Sequence, residues 1–92
     1  MLDRDRLTPV ERERIRAALA AGLRDDAALV RFWCLYAVGV LRLTELRAEV
    51  ERLAASDPEV IPGWWRVSEE ASDVLTCWDT GDWPERSLSP VA

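Results

Sequence analysis

The side chains best equipped for chemistry are acidic and clustered: Glu69, Glu70, Asp73, Asp79 and Asp82. Paired carboxylates can move protons or hold Mg²⁺. Adjacent glutamates on a helix diverge by about 100°, whereas Glu69 and Asp73, four apart, share a face. No second helix offers matching ligands, so no metal site is expected. The simpler account is that Glu69 and Glu70 complement the positive end of a helix dipole. Other chemistry is thin. The chain has no histidine, which removes imidazole bases, histidine triads and histidine-rich zinc sites. Cys34 and Cys77 are the only cysteines and lie far apart, which suits neither a zinc site nor a disulfide framework. Cys34 reads as a packed thiol, and Cys77 sits among acids that disfavour a thiolate. No catalytic residue, cofactor or metal is assigned, and enzymatic activity is not expected.

The second signal is aromatic. The stretch VIPGWWRVSEEA, residues 60–71, puts Trp64 and Trp65 after a proline and a glycine, in what reads as a loop between two helices. Neighbours in a chain cannot both face the same way on a strand or helix, so one can be buried while the other is exposed. The pair is expected first to cover an open core edge. It can also line a groove, since tryptophan is enriched at binding hot spots. Trp33 and Trp78 fall at helical spacing and read as core. Trp83 lies between Asp82 and Pro84 and reads as an anchor that folds back. The partner-binding candidates are therefore Trp64, Trp65, Glu69, Glu70, Asp73 and Trp83.

These residues need helices to position them, and the periodicity supplies four. Thr8 can cap the first, with Pro9 at its first position and Glu11 completing a capping box. Val10, Ile15, Ala18, Leu19 and Leu23 then share a face, and Gly22 marks the end. Asp25 or Asp26 can cap a second helix, which is apolar nearly all round from Leu29 to Leu41 and is expected to be central and covered on several sides. Thr44 opens a third, carrying Leu46, Val50, Leu53 and Ala54, with Arg47 and Glu51 spaced for weak pairing. Ser56, Asp57 and Pro58 end it. The fourth is expected from about Ser68 to Asp79, and Gly81 and Pro84 break the pattern beyond.

The two halves align. A shift of 31 residues places Ile15 on Leu46, Leu19 on Val50 and Asp26 on Asp57, and a shift of 37 places Val30 on Val67, Cys34 on Ala71 and Ala37 on Val74. The second copy thus carries six extra residues, within Pro58 to Arg66. Two-helix units of this length belong to the α-solenoid class. Within DDAALVRFWCLYAVGVL, the residues Asp26, Val30, Arg31, Cys34, Ala37, Val38 and Gly39 resemble a HEAT repeat. Asp57, Val67, Ala71 and Leu75 match in the second copy, where Ser68 stands in place of the arginine. The resemblance implies that Arg31 stacks with Asp26 or its counterpart between units, and that the small residues allow close helix packing. It also implies a binding scaffold more than an enzyme.

Size and charge set the frame. Ninety-two residues, 49% hydrophobic, make one domain near the lower limit for folding alone. We expect repeat one over about 8–42, repeat two over about 43–80 and a tail over 81–92. Net charge is −5, and the last 25 residues hold one arginine against six acids. An acidic end suits a basic protein surface and not a phosphate backbone, so no nucleic acid is expected. The apolar run Leu29–Leu41 contains Arg31 and is too short to span a bilayer. With no charged-then-apolar leader at the start, a soluble, reduced, cytoplasmic protein is expected, with no membrane partner. The expectation is an all-α protein of two HEAT-like helical hairpins, with an aromatic inter-helix insertion and a short tail. It would serve as a protein-binding scaffold or adaptor. The alternatives are an acidic inhibitor of a basic enzyme, and a small ligand-binding or catalytic domain walled by Trp64, Trp65 and Trp78. Two repeats fall below the usual solenoid minimum of about three, so self-association or pairing with a larger protein is also expected.

Overall fold

The computed structural model describes residues 8–84. They form four helices: α1 (Pro9–Gly22), α2 (Ala28–Val40), α3 (Arg47–Ser56) and α4 (Val67–Thr80). Among the described residues the only β pairing is an isolated antiparallel bridge between Val60 and Arg66, so the fold is all-α.

The helix ends follow from local chemistry. At α1, the Thr8 hydroxyl accepts from the Glu11 N–H at 3.1 Å and the Glu11 carboxylate accepts from the Thr8 N–H at 3.0 Å. This reciprocal box satisfies two donors that a helix start otherwise leaves bare. The start of α2 departs from expectation: Ala27 occupies the cap position, and Asp25 Oδ1 instead accepts from the Ala27 N–H at 2.8 Å, one residue ahead of the helix. The C-terminus of α2 ends in a left-handed residue, Arg42 at φ 53°. There the Arg42 N–H reaches Gly39 O at 3.2 Å and the Leu43 N–H reaches Val38 O at 3.1 Å, which tucks Leu43 into the core. Thr44 begins a 3₁₀ turn, Thr44–Leu46, that leads into α3. Gly81, at φ 88°, closes α4 by donating to Cys77 O at 2.8 Å.

The core sits between α2, α3 and α4. Phe32, Leu35 and Val38 of α2 meet Val50 and Leu53 of α3 and Val67, Ala71 and Val74 of α4; Leu23, Leu43, Leu46 and Ile61 fill in from the connections. Helix α4 packs on both α2 and α3, while α1 packs on α2. No residue of α1 is fully buried, and Val10, expected on its inner face, is 62% exposed. Two ion pairs tie α1 and the turn after it to the second hairpin: Arg12 with Glu45, and Arg24 with Glu49.

The buried link between hairpins is Arg31. Its guanidinium donates to both oxygens of Asp57, at 2.7 and 3.3 Å, and to the backbone carbonyls of Asp25 and Asp26 at 2.8 and 3.0 Å. Asp57 is the residue that the 31-residue shift superposes on Asp26. Cys34 lies against Gly22, where α1 meets α2 and no side chain would fit on the glycine. Burial, with a contribution from Asp25, pushes the Cys34 thiol above its ordinary value. Among the described residues no helix is long and apolar enough to cross a membrane.

Helix α2 is not covered as its composition suggests. Leu29, Val30, Trp33, Tyr36 and Val40 remain 39–54% exposed. Leu29, Trp33, Tyr36 and Val40 fall four, three and four apart, which draws one stripe along the helix. With only two hairpins, α1 and α4 cover α2 on two sides and leave this stripe open.

Candidate functional site

The segment between α3 and α4 is a folded hairpin. The Trp64 N–H donates to Ile61 O at 2.9 Å across Pro62 and Gly63, with Gly63 at φ 82°. Proline followed by a positive-φ glycine is the type II turn arrangement. Ile61 N–H to Trp65 O, at 3.1 Å, and Val67 N–H to Glu59 O, at 2.9 Å, close the hairpin. Ile61 anchors it in the core at 4% exposure. The two tryptophans are thereby delivered to fixed places: Trp64 is 40% exposed and Trp65 is half-buried.

Both rings contact Phe32, at 6.1 Å for Trp64 and 5.8 Å for Trp65. From there an aromatic wall continues. Trp65 and Trp64 stand edge-on at 5.4 Å, Trp64 and Trp33 at 5.2 Å, and Trp33 and Tyr36 at 6.1 Å; Tyr36 and Trp83 are 5.7 Å apart and inclined by 31°. Edge-to-face pairs at these separations are favourable beyond their buried area. Six of the seven aromatic side chains in the chain take part.

The wall borders a cleft of about 500 Å³, lined by α2 (Phe32, Trp33, Tyr36), the hairpin (Trp64, Trp65), α4 (Glu70, Asp73) and the chain beyond it (Trp83, Pro84). Two carboxylates thus face an aromatic cavity while almost excluded from solvent, Glu70 at 3% and Asp73 at 5% exposure. They are three apart on α4 and so share a face. The Trp65 indole N–H donates to Glu70 Oε1 at 2.8 Å and so orients that carboxylate. Charges this buried require compensating partners.

The structure separates the sequence candidates. Trp64, Trp65, Glu70, Asp73 and Trp83 converge on one cleft. Glu69 does not line it, because its carboxylate accepts from the Arg66 N–H at 2.9 Å and caps α4. The face shared by acids in the cleft is that of Glu70 and Asp73, one position away from the expected Glu69 and Asp73. Asp79 pairs with Arg47 at 3.2 Å instead. Trp78, expected beside Trp64 and Trp65 in a pocket, lies on the α2–α4 seam, where its indole N–H approaches Gly39 O at 3.3 Å. Trp83 folds back onto α2, so closely that a Cβ on Gly39 would come within 2.6 Å of its ring. Trp33 and Tyr36 are site residues that the sequence reading placed elsewhere or passed over. The signal for them was the Leu29, Trp33, Tyr36, Val40 spacing on a helix with more apolar surface than two hairpins can cover. Among the described residues no group of three or more metal-ligating side chains is close enough to hold an ion.

The repeat positions have packing roles. Arg31 and Asp57 form the inter-hairpin pair, Cys34 and Ala37 are half-buried on α2, and Val67 and Ala71 are fully buried on α4. Asp26 is exposed and contributes its backbone carbonyl, and Val30 is 40% exposed.

Comparisons with protein-family models, curated proteins and solved structures give no match.

Proposed function

We propose that this chain is a protein-binding module of HEAT-like hairpins that docks its partner at the aromatic cleft between α2 and α4. The observation that carries this reading is the rigid presentation of Trp33, Tyr36, Trp64 and Trp83, each 37–48% exposed, around one cavity. Leaving large aromatic surface in water is costly, at about 25 cal/mol per Å², and contiguous exposed apolar surface marks interaction sites. Tryptophan and tyrosine dominate binding hot spots because they bury much area while freezing few torsions. Binding is favoured over catalysis because Cys34 is held protonated and the chain has no imidazole base. The cleft carboxylates keep the inhibitor-like alternative in a narrower form, since they sit inside the cavity and not on an open acidic face.

The test is affinity capture from the source organism with the full chain as bait. Wild type and Val10→Ser, which alters an exposed apolar residue remote from the cleft, should retain the same partner. Trp33→Ala and Trp64→Ala should each weaken capture by about tenfold or more, as loss of a hot-spot residue does. Equal capture by all four proteins, with thermal melts showing each folded, would reject the reading. Light scattering on the purified chain identifies the special case of a second copy: a dimer in wild type that Trp33→Ala dissociates.

A further inference from the structure

We infer that the cleft receives a proline-rich segment of the partner protein in the polyproline II conformation. This inference rests on the protein-binding reading and names the chemistry of the partner.

The wall of the cleft offers apolar rings and hydrogen-bond donors. Among the described residues two indole N–H groups donate within the chain, Trp65 to Glu70 at 2.8 Å and Trp78 to Gly39 O at 3.3 Å. The indole N–H groups of Trp33, Trp64 and Trp83 and the Tyr36 hydroxyl have no acceptor among the described residues, and all four side chains are exposed at the cleft. The acceptors on the same wall, the Glu70 and Asp73 carboxylates, are buried and already engaged within the chain. A ligand that fits must therefore bring acceptors for these donors and few donors of its own, because a polar group left unpaired on docking costs affinity.

A polyproline II segment has that inventory. Proline has no backbone N–H, and this helix makes no internal hydrogen bonds, so every carbonyl is open to a donor. An amphipathic helix satisfies its backbone internally and would cover the four donors with apolar side chains. An added strand needs a free sheet edge and brings N–H groups that require acceptors. The only β pairing among the described residues is the isolated Val60–Arg66 bridge. Ring geometry agrees with the donor inventory. Trp64 and Trp33 are inclined by 80° and Trp33 and Tyr36 by 82°, an alternation of face and edge that ridges the wall. Proline-rich segments dock on aromatic-lined grooves at low entropic cost, because the ligand is already extended. The steps from Trp64 to Trp33, Tyr36 and Trp83 are 5.2, 6.1 and 5.7 Å. The row therefore spans at most about 17 Å, the length of about five or six residues at about 3.1 Å each.

The experiment is an NMR titration of the full chain with acetyl-hexaproline amide, following the tryptophan indole N–H signals. Saturable shifts are expected for Trp33, Trp64 and Trp83, with the Trp78 signal unmoved. An acetylated and amidated Gly-Ser repeat of equal length, flexible and rich in N–H groups, should bind about tenfold or more weakly. Trp33→Phe combined with Tyr36→Phe keeps both rings and removes two donors, and should weaken the proline peptide by about threefold to tenfold. Thermal melts check that variant, and should it misfold, the comparison of the two peptides on wild type decides alone. No indole shifts, equal binding of the two peptides, or unchanged affinity in the folded double variant would overturn the inference. A wild-type dimer that Trp33→Ala dissociates would give the cleft to a second copy and also overturn it. Proline-peptide binding without partner capture would leave this site standing and remove the protein-binding reading. Partner capture without peptide binding would do the reverse.

Discussion

Arg31 does more structural work than any other polar residue in the chain. It joins the start of α2 to the end of α3 with two carboxylate and two carbonyl contacts, at 14% side-chain exposure against 6% for Asp57. The bond to Asp57 holds its guanidinium even more firmly protonated than usual. Removing one member of a buried pair leaves an uncompensated charge, which costs about 3–5 kcal/mol when burial is complete. Arg31→Ala should therefore destabilise the chain by about 2–4 kcal/mol. Arg31→Ala combined with Asp57→Ala should cost less than the sum of the two single changes. Urea denaturation of the four proteins reads this coupling, and strict additivity would show that the pair contributes no mutual stabilisation. The sequence exposed half of this arrangement. Arg31 stood out, but its acceptor lies 26 residues away, and only the meeting of the two hairpins selects Asp57 over Asp26.

At the scale of elements, helix ends were the most legible feature and helix faces the least. The α1 capping box and the Gly81 stop depend on residues within a few positions, and both form as the local pattern implies. The α2 terminus is a different case. Arg42 sits at φ 53°, where a β-carbon crowds the following carbonyl at a cost of about 1 kcal/mol. Arg42→Gly should relieve that strain and raise stability by about 0.5–1 kcal/mol, net of the greater freedom glycine gives the unfolded chain. A higher urea midpoint with an unchanged slope would confirm it, and a lower midpoint would show that the Arg42 side chain contributes more than its backbone costs. The face of α2 could not be read in the same way. A helix apolar all round implies cover on all sides, and how much cover exists depends on how many neighbours the chain supplies. Here α1 and α4 leave one stripe open, and Trp33 and Tyr36 stand at the surface instead of in the core.

On the scale of the whole molecule, the two hairpins are held together unequally. Helices α2, α3 and α4 share a buried apolar core, whereas α1 and the turn after it are tied to the second hairpin by the pairs Arg12–Glu45 and Arg24–Glu49. The hydrogen bond from Arg12 holds the Glu45 carboxyl below its ordinary value of 4.5. Burial raises Glu49, but its bonds from Arg24 and Arg52 bring it below the ordinary value as well. A carboxylate whose pKa is lower in the folded state stabilises the fold above the unfolded value, and that contribution disappears as pH falls through the folded value. Stability should therefore hold from neutral pH to about 5 and decline below about 4.5. The decline should be shallower in Glu45→Gln and smaller in high salt, because exposed pairs are screened. Urea midpoints measured from pH 7 to pH 3 test this, and identical profiles for wild type and Glu45→Gln would remove Glu45 from the account.

What the sequence determined by itself was whatever short-range chemistry decides: four helices, the capping box that opens α1 and the glycine that closes α4. Each depends on neighbours within about one helical turn, where spacing translates directly into geometry. Only the tertiary structure decided that Trp64 and Trp65 join Trp33, Tyr36 and Trp83 around one cavity, and that Glu70 and Asp73, not Glu69, face into it. Those choices depend on how far α4 rolls against α2 and on what two hairpins leave uncovered. A rotation of about 100° per residue makes neighbouring glutamates point to different surroundings, and no local pattern records which of them the packing turns inward.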